Sequence, residues 1–351
     1  MTINSTYIHI PFCTKKCNYC SFFSVADLGA KKDYVETLLA EIRNCEITPQ
    51  KTIYFGGRTP SLLSLGDFER ILGCFKFEAS AEVTVEVNPC SVDLDYLKGL
   101  RALGVNRLSI GLQTFDDEIL GLIGRGHSAG DSERAVLEAR EAGFKNISID
   151  LMYGLPNQNL EGWERDLERA IALKPEHISL YGLKIDEGCN FYKNPPNTLL
   201  DKDIWGDLQA DMYLKAIEIL TAAGFKHYEI SNFARENCEG RHNLNYWKLG
   251  YYNGFGAGAS GFDENGRYTN SPDLKNWERI SEESNPAEEE IFLGFRLLGK
   301  DGGVDAKKLE NRHPETLKKF LETGHIIKRR ERYFLTLEGV LVSNSILCEF
   351  V

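Results

Sequence analysis

The chain has 351 residues, the length of two typical domains or of one large domain with an appendage. Apolar residues make up 42% of it and charged residues 26%, the balance of a soluble globular protein, which excludes global disorder. The net charge of −11 opposes binding to nucleic acid or to an anionic membrane surface. No apolar run approaches the roughly 18 residues of a spanning helix, and the N-terminus, MTINSTYIHIPFC, lacks the basic region and apolar length of a signal peptide. We therefore expect a cytoplasmic protein.

Short β-rich runs alternate with amphipathic helical runs in the first half of the chain. Strands are predicted at 7–12, 52–57, 82–89, 107–113, 147–154 and 177–183. Helices are predicted between them at 33–44, 65–75, 94–104, 131–143 and 161–173. This alternation is typical of parallel βαβ units, in an open sheet or a barrel, so the predicted class is α/β. Several strand runs are apolar on both faces, as a sheet covered by helices requires, and six units fall short of the eight in a complete barrel.

Polar residues stand where three of these strands end, at Glu86, Gln113 and Asp150. The carboxyl ends of parallel strands form the ligand-binding face of an α/β sheet. These residues are therefore candidates for binding a ligand, and the competing interpretation is that they are ordinary polar residues at strand ends.

The second half of the chain has a different pattern. A helix at 203–224 and a strand at 227–233 lead into a stretch rich in Gly and aromatic residues at 240–262. Beyond a probable break at ESNP, residues 283–286, the chain reads as helices at 286–299, 305–311 and 314–323 followed by a β-ribbon. This combination resembles a winged-helix module. The basic run 328–330 is interpreted as a solvated face of the ribbon.

Three of the nine cysteines, Cys13, Cys17 and Cys20, form a CxxxCxxC motif directly after the first strand, and the other six are scattered singly. The scattered cysteines do not form the pattern of a disulfide framework. A structural zinc site would need four ligands, and no second CxxC or HxxxH pair is present. Three thiolates on one loop suit a [4Fe–4S] cluster whose fourth iron is open to a small molecule.

The cysteine motif, with Tyr19 before its last cysteine, resembles the signature of the radical S-adenosylmethionine (SAM) superfamily. The framing YIHIPFCTKKCNYCSF resembles the branch that contains oxygen-independent coproporphyrinogen III oxidase and the HemW-type heme chaperone. Similar motifs run along most of the chain: FGGRTPSLL, VEVNP, IGLQTF, IDLMYGLP, HISLYGL and GFGAGAS. The resemblance implies a partial (β/α)6 TIM-like barrel of the radical SAM type with a small C-terminal winged-helix-like domain. We expect the barrel with its cluster loop at 1–235, a connecting segment at 236–285 and the C-terminal domain at 286–351.

The resemblance also implies cofactors and the residues that hold them. In the superfamily the open iron of the cluster binds SAM, and one-electron transfer from the cluster cleaves SAM to a radical. Here the cluster would be held by Cys13, Cys17 and Cys20. Contacts to SAM would come from Tyr7, Tyr19, Gly57, Arg58, Thr59, Glu86, Gln113, Arg125 and Asp150.

One position departs from the family pattern GGGTP, which reads Gly56-Gly57-Arg58-Thr59-Pro60 here. If the third residue of the pattern needs a positive φ, Arg58 is strained or the loop has shifted. This departure puts tight binding of SAM in question.

Three features separate the two members of the branch. The oxidase has a fourth cysteine two residues after the motif, where this chain has Phe22, and a long N-terminal extension, where only 12 residues precede Cys13. The run from His242 to Trp247 matches the HNxxYW motif of the chaperone branch. These features favour a heme chaperone. The alternatives are the oxidase of porphyrin biosynthesis, which decarboxylates coproporphyrinogen III, and a radical SAM enzyme with another substrate.

His242 is a candidate axial ligand to heme iron, and Trp247 a candidate for covering the macrocycle. The competing interpretation is that both residues anchor their segment to the barrel. His9 is expected to pack or hydrogen-bond near the cluster loop, and His127 and His177 are expected at the surface or at strand ends.

The expected partners follow from the resemblance to a heme chaperone with radical SAM cofactors. They are a heme acceptor protein and a reducing electron donor such as a flavodoxin or a ferredoxin. Nucleic acid is not expected as a partner, and association with a membrane is expected only through the acceptor.

Overall fold

The central feature of the fold is a nine-stranded sheet in a computed structural model that describes residues 2–300 and 302–350. Its first six strands run parallel in chain order: β1 Ser5–Ile10, β2 Gln50–Gly57, β3 Phe77–Val87, β4 Arg107–Gln113, β5 Ile147–Tyr153 and β6 His177–Gly182. The remaining three are β7 Lys226–Glu229, β8 Asn232–Ala234 and β9 Asn253–Phe255, and the order across the sheet is β7-β8-β6-β5-β4-β3-β2-β1-β9. The six predicted parallel strands and the incomplete barrel are confirmed.

Helices connect the parallel strands, as predicted. They are α1 Lys31–Arg43, α2 Leu65–Leu72, α3 Leu94–Ala102, α4 Asp117–Ile123, α5 Ala129–Glu141 and α6 Leu160–Ala172. Two further helices, α7 Asn190–Lys193 and α8 Lys202–Ala222, lie between β6 and β7. Ser64 and Ser128 begin α2 and α5 with capping boxes, which satisfy the free N–H groups of the first turn. The chain leaves α3 and α5 through Gly104 and Gly143, both with positive φ, as their predicted C-terminal positions require.

The two faces of the parallel strands differ in polarity, and here the sequence-based expectation of apolar residues on both faces is wrong. Ile53, Val85, Ile110 and Ile149 belong to the apolar face, which packs with the helices in the main core. The alternate residues are polar and many are buried: Thr52, Thr84, Arg107, Ser109, Ser148, His177 and Ser179. Because successive side chains of a strand point to opposite faces, the second face of the curved sheet forms a buried polar interior.

The predicted strand at 227–233 is two short strands. The chain turns at residues 230–231, so that β7 and β8 pair antiparallel with each other. Strand β8 also pairs antiparallel with β6 and so extends the barrel sheet beyond its parallel part.

Residues after β8 form smaller elements on the barrel. Helix α9 Arg241–Trp247 precedes β9, and β10 Ser260–Asp263, β11 Gly266–Asn270 and β12 Arg279–Ser281 form an antiparallel sheet. The C-terminal part contains α10 Pro286–Arg296, β13 Val304–Asp305, α11 Ala306–Arg312, α12 Pro314–Glu322, β14 Ile326–Arg329, β15 Arg332–Leu335, α13 Leu337–Leu341 and α14 Ser343–Leu347. Its helices and three-stranded sheet have the predicted winged-helix-like composition, and they share a second apolar core that also includes Tyr213 of α8. The boundaries at 235/236 and 285/286 stay a proposal, since β9 of the middle segment pairs with β1.

None of the helices in the described part of the chain is long and apolar enough to span a membrane.

Candidate functional site

The three cysteines of the CxxxCxxC motif lie on the loop between β1 and α1. Cys13 N donates to Val25 O (3.1 Å) and Val25 N donates to Pro11 O (2.9 Å), so the two ends of the loop meet. Its middle is held by Asn18, whose backbone N donates to Ile123 O at 2.9 Å. Because the loop follows the carboxyl end of β1, the three thiols lie at the ligand-binding edge of the sheet. All three are partly exposed, and none is in a disulfide.

Each thiol sulfur is approached by one side-chain donor from elsewhere in the chain. Thr59 Oγ1 lies 3.8 Å from Cys13 Sγ, Arg125 Nη1 lies 3.9 Å from Cys17 Sγ, and Arg58 Nη1 contacts Cys20 Sγ. Hydrogen-bond donors of this kind surround the sulfurs of metal-bound thiolates, where they orient the ligand and adjust the properties of the metal. The surroundings of the motif therefore fit a metal-binding role.

The arrangement of the thiols distinguishes between kinds of metal centre. In residues 2–300 and 302–350, no three His, Cys, Asp or Glu side chains converge on the position of a single metal ion. A zinc ion needs four such ligands around one point, whereas a [4Fe–4S] cluster takes each cysteine on a different iron. Three cysteines on one loop meet the requirement of a cluster, since its cysteine ligands need not converge on one point.

Most of the residues predicted to contact SAM lie on one edge of the barrel. Tyr7, Glu86, Gln113 and Asp150 come from β1, β3, β4 and β5, while Gly57 ends β2, which lies between β1 and β3, and Thr59 follows it. Tyr7 OH is hydrogen-bonded to His9 Nδ1 at 2.9 Å. Tyr19 of the cysteine loop packs beside the apolar side chains of α4.

Glu86 is the most strongly perturbed carboxyl group of this edge. Burial, with the charge of Asp150 as a smaller cause, raises its pKa to about 7 against the lowering effect of its hydrogen bonds. Those bonds come from Tyr54 OH (2.8 Å) and from the backbone N of Gly57 (3.1 Å). Asp150 accepts from Ser109 Oγ at 3.0 Å, and burial raises its pKa as well. Both carboxyl groups can accept hydrogen bonds from a polar ligand, and near neutral pH Glu86 exists in both protonation states.

Gln113 and Arg125 are brought together by an irregularity in β4. The pairing of β4 with β5 shifts register between Gly111 and Gln113, and Gln113 has a φ of +65°. Arg125 Nη2 donates to Gly111 O at 2.7 Å, so the guanidinium lies over this bulge. Bulges and left-handed backbone at strand ends redirect side chains at functional sites. The sequence predicted both residues, and the bulge explains how they reach the same edge.

Several buried polar atoms at this edge have no hydrogen-bond partner among the described residues. They are His9 Nε2, Arg58 Nε, Gln113 Oε1 and Arg125 Nε. Buried polar groups are nearly always paired in folded proteins, so four such atoms on residues of one edge fit a site for a polar ligand. The residues present therefore fit a cluster on the three cysteines with a polar molecule such as SAM beside it.

The loop after β2 resolves the question that Arg58 raised. The positive φ belongs to Gly57, at +113°, and Arg58 is not among the residues with positive φ. The expected strain at Arg58 is therefore absent. The backbone N of Arg58 donates to Ile10 O and that of Thr59 to Phe12 O, both at 3.1 Å, so the loop continues the pairing of β2 with β1.

Gly57→Ala should lower the free energy of unfolding by more than the cost of a positive φ at alanine alone. A Cβ at this position would lie 2.7 Å from His9 Cε1, and the φ of +113° is unfavourable for alanine by about 1–3 kcal/mol. Gly104→Ala is the matched control, since Gly104 also has a positive φ but a Cβ there would meet nothing within 4 Å. Denaturant unfolding of both variants measures the difference. Equal destabilisation would show that His9 moves aside at no cost.

Comparison with known proteins places the chain in a family. A family model described as the radical SAM superfamily matches residues 7–170. The heme chaperone HemW of Lactococcus lactis is 36% identical over 99% of this chain and 97% of that protein, and the one of Escherichia coli is 41% identical over 73% of this chain and 69% of that protein. The chain belongs to the HemW family of the radical SAM superfamily.

A solved structure supports the fold. The coproporphyrinogen III oxidase of Escherichia coli, a radical SAM enzyme, superposes with a TM-score of 0.82 over 99% of this chain and 90% of that chain, at 23% identity. That enzyme therefore has the same architecture of a barrel and a C-terminal part. At 23% sequence identity, the likeness concerns the fold alone.

The HNxxYW segment of this HemW-family chain forms α9, and its histidine is enclosed. His242 is 1% exposed, its Nδ1 is 2.7 Å from Thr52 Oγ1, and its Nε2 is 2.7 Å from Tyr246 OH. Burial, with the charge of Arg107 as a second cause, lowers its pKa to about 3, so the ring is neutral. Since both ring nitrogens are already hydrogen-bonded, this geometry does not offer His242 to heme iron. It favours the competing interpretation that His242 anchors the segment to the barrel.

Trp247, at the other end of α9, faces the C-terminal part. The guanidinium of Arg296 from α10 lies 4.3 Å from the centre of its ring, a cation–π contact. The motif thus contacts the barrel through its histidine and the C-terminal helices through its tryptophan, so it joins the two parts of the chain.

The other histidines named in the sequence are also structural. His127 is buried and lies outside the strands, so the expectation for it is wrong, whereas His177 begins β6, one of the two expected positions, and is buried. His127 Nε2 lies 3.2 Å from Leu112 O, and His177 bonds through both nitrogens at 2.8 Å. His9 packs beside Gly57 near the cysteine loop, as predicted.

Two residues of the site were missed in the sequence. Tyr54 donates to Glu86, and Arg107, 2% exposed, is the buried cation whose charge opposes the raised pKa of both Glu86 and Asp150. Tyr54 lies two residues after Thr52 and Arg107 six residues before Gln113, so the alternation of each strand would have placed them on the interior face.

Proposed function

We propose that this protein is a heme chaperone, which binds heme and transfers it to an acceptor protein. The observation that carries the proposal is similarity to HemW chaperones along the whole chain, at 36% identity over 99% of it for the Lactococcus lactis protein. A match of this extent includes the barrel, the α9 segment and the C-terminal part together. The acceptor is the partner that this function requires, and a low-potential protein such as a flavodoxin or a ferredoxin is the electron donor that the cluster would require.

The cofactors of the proposal are a [4Fe–4S] cluster and SAM. Cys13, Cys17 and Cys20 would hold the cluster, which when bound supplies one electron and an open iron for coordination. SAM would be held by residues of the barrel interior and of the loops after β2 and α4: Tyr7, Gly57, Thr59, Glu86, Gln113, Arg125 and Asp150. Glu86 and Asp150 would accept hydrogen bonds from its ribose or ammonium group, and Arg125 would bind its carboxylate.

The side chain at Phe22 supports the chaperone over the oxidase. Phe22 is 68% exposed on the cysteine loop, at the position where the resemblance to the oxidase would require a fourth cysteine. An exposed phenyl ring can contact an apolar macrocycle or a partner protein, but it cannot serve as a ligand to iron.

Two measurements on the same anaerobically reconstituted protein test the function. In a titration with heme followed by absorbance, we expect a saturable spectral change relative to free heme. In an incubation with coproporphyrinogen III, SAM and a reductant, we expect no protoporphyrinogen at the turnover of an enzyme. Enzyme-like turnover would identify an oxidase. A protein that holds its cluster but binds no heme would instead be a radical SAM enzyme with another substrate.

A further inference from the structure

Arg58 is held against the cysteine loop by two side-chain contacts. Its Nη2 donates to Phe22 O at 2.8 Å, and its Nη1 contacts Cys20 Sγ. These contacts join two segments 38 residues apart in sequence. The unstrained backbone of Arg58 means that the side chain reaches the loop without distortion of the strand end.

The charge of Arg58 has no counterpart in the described protein. Its acceptors are a sulfur and a carbonyl oxygen, and Arg58 takes part in no ion pair with a carboxylate within residues 2–300 and 302–350. Its Nε is buried and unpaired. The neighbouring His9 adds no charge at neutral pH, since burial, with the charge of Arg58 as a second cause, lowers its pKa to about 4. A partly buried cation without an anion is unfavourable unless a bound group supplies the negative charge.

We propose that Arg58 is a positioning residue for the cluster, whose hydrogen bond to the Cys20 sulfur favours the reduced state. This inference rests on the proposed cluster. Reduction adds one electron from an external donor to the cluster, with no proton transferred and no bond broken. The added negative charge is stabilised by a nearby cation and by N–H donors to sulfur, which raise the potential of iron–sulfur clusters. The guanidinium therefore makes the cluster easier to reduce.

The test compares Arg58→Gln and Arg58→Gly with the wild type, all reconstituted without oxygen and without SAM. Gln keeps a hydrogen-bond donor and removes the charge, and Gly removes the side chain while the backbone bond to Ile10 O stays. The reduction potential of each is measured by a redox titration followed by electron paramagnetic resonance. We expect the equilibrium constant for one-electron reduction to fall about tenfold in Arg58→Gly, equivalent to about 59 mV, and by less in Arg58→Gln.

Lys16→Ala is the control for loss of a positive charge near the cluster. Lys16 lies between Cys13 and Cys17 in the loop and is exposed, with only a long contact of 3.5 Å to Gly188 O. Because the charge of an exposed side chain is screened by solvent and salt, its removal should change the potential much less than removal of Arg58.

The outcomes separate this inference from the proposed function. Absence of iron from the wild type would overturn the cluster itself. If the wild type carries normal iron and its cluster has the same reduction potential as that of Arg58→Gly, the role of Arg58 is overturned while the cluster stands. So would an unchanged potential with lost affinity for SAM, measured by isothermal titration, since the guanidinium would then be a SAM ligand. Loss of the cluster from both Arg58 variants would also overturn it, because the side chain would then serve assembly.

Discussion

Cys17→Ala should abolish the iron–sulfur cluster. Anaerobically purified wild type is expected to carry about four iron atoms per chain, and the variant almost none, because two remaining thiolates cannot hold the cluster on this loop. The three thiols have similar surroundings, since Cys17 Sγ has Arg125 Nη1 at 3.9 Å and the sulfurs of Cys13 and Cys20 each have one side-chain donor as well. We therefore expect Cys13→Ala and Cys20→Ala to lose the cluster too. Iron and acid-labile sulfide analysis with the visible absorbance of the cluster gives the measurement.

The chain supplies matched controls for this experiment. Cys74 lies just after α2, where its thiol donates to Arg70 O and its side chain packs against the main core, and Cys348 is exposed near the C-terminus. Alanine at either position should leave the iron content unchanged. Normal iron content in Cys17→Ala would refute the assignment of the cluster to this motif.

His242→Ala should lower the free energy of unfolding by about 2–4 kcal/mol and leave heme binding of the folded protein unchanged. The substitution empties a fully enclosed site and leaves Thr52 Oγ1 and Tyr246 OH without their partner. Denaturant unfolding followed by circular dichroism measures the stability, and a heme titration by absorbance on the same sample measures binding.

The matched control is His325→Ala. His325 lies outside the barrel, and its Nδ1 bonds only to Thr323 Oγ1 at 2.8 Å, so its removal should cost much less stability. A shifted heme spectrum with unchanged stability in His242→Ala would show that the imidazole is an iron ligand after all, and that α9 moves to release it.

The spacing of the cysteines and the strand pattern could be predicted because both are local. Cys13, Cys17 and Cys20 lie within one loop, so their separation in the sequence limits their separation in space. The six parallel strands were found from short apolar runs, although several ends shifted: the strand predicted at 82–89 is Phe77–Val87. Ends shift because pairing with neighbouring strands, and not the residues alone, decides where a strand stops.

The polarity of the barrel interior could be predicted only in part. Polar and apolar residues alternate in runs such as RLSIGLQ. Whether the second face of the sheet packs against helices or lines the inside of a barrel depends on the curvature of the whole sheet. An apolar second face was expected, and the buried Arg107 and the partly buried Tyr54 were missed for that reason.

By itself, the sequence determined the cysteine motif, the family pattern and the order of strands and helices, since each depends on residues close together in the chain. Tertiary structure alone decided which residue of the GGRTP loop takes the positive φ, what Arg58 contacts, and whether His242 is open or enclosed. His242 and Thr52 are 190 residues apart, and Arg58 and Cys20 are 38 apart. The physical reason is that hydrogen bonding and burial of a side chain depend on every segment that folds against it, and such contacts leave no periodic signal in the sequence.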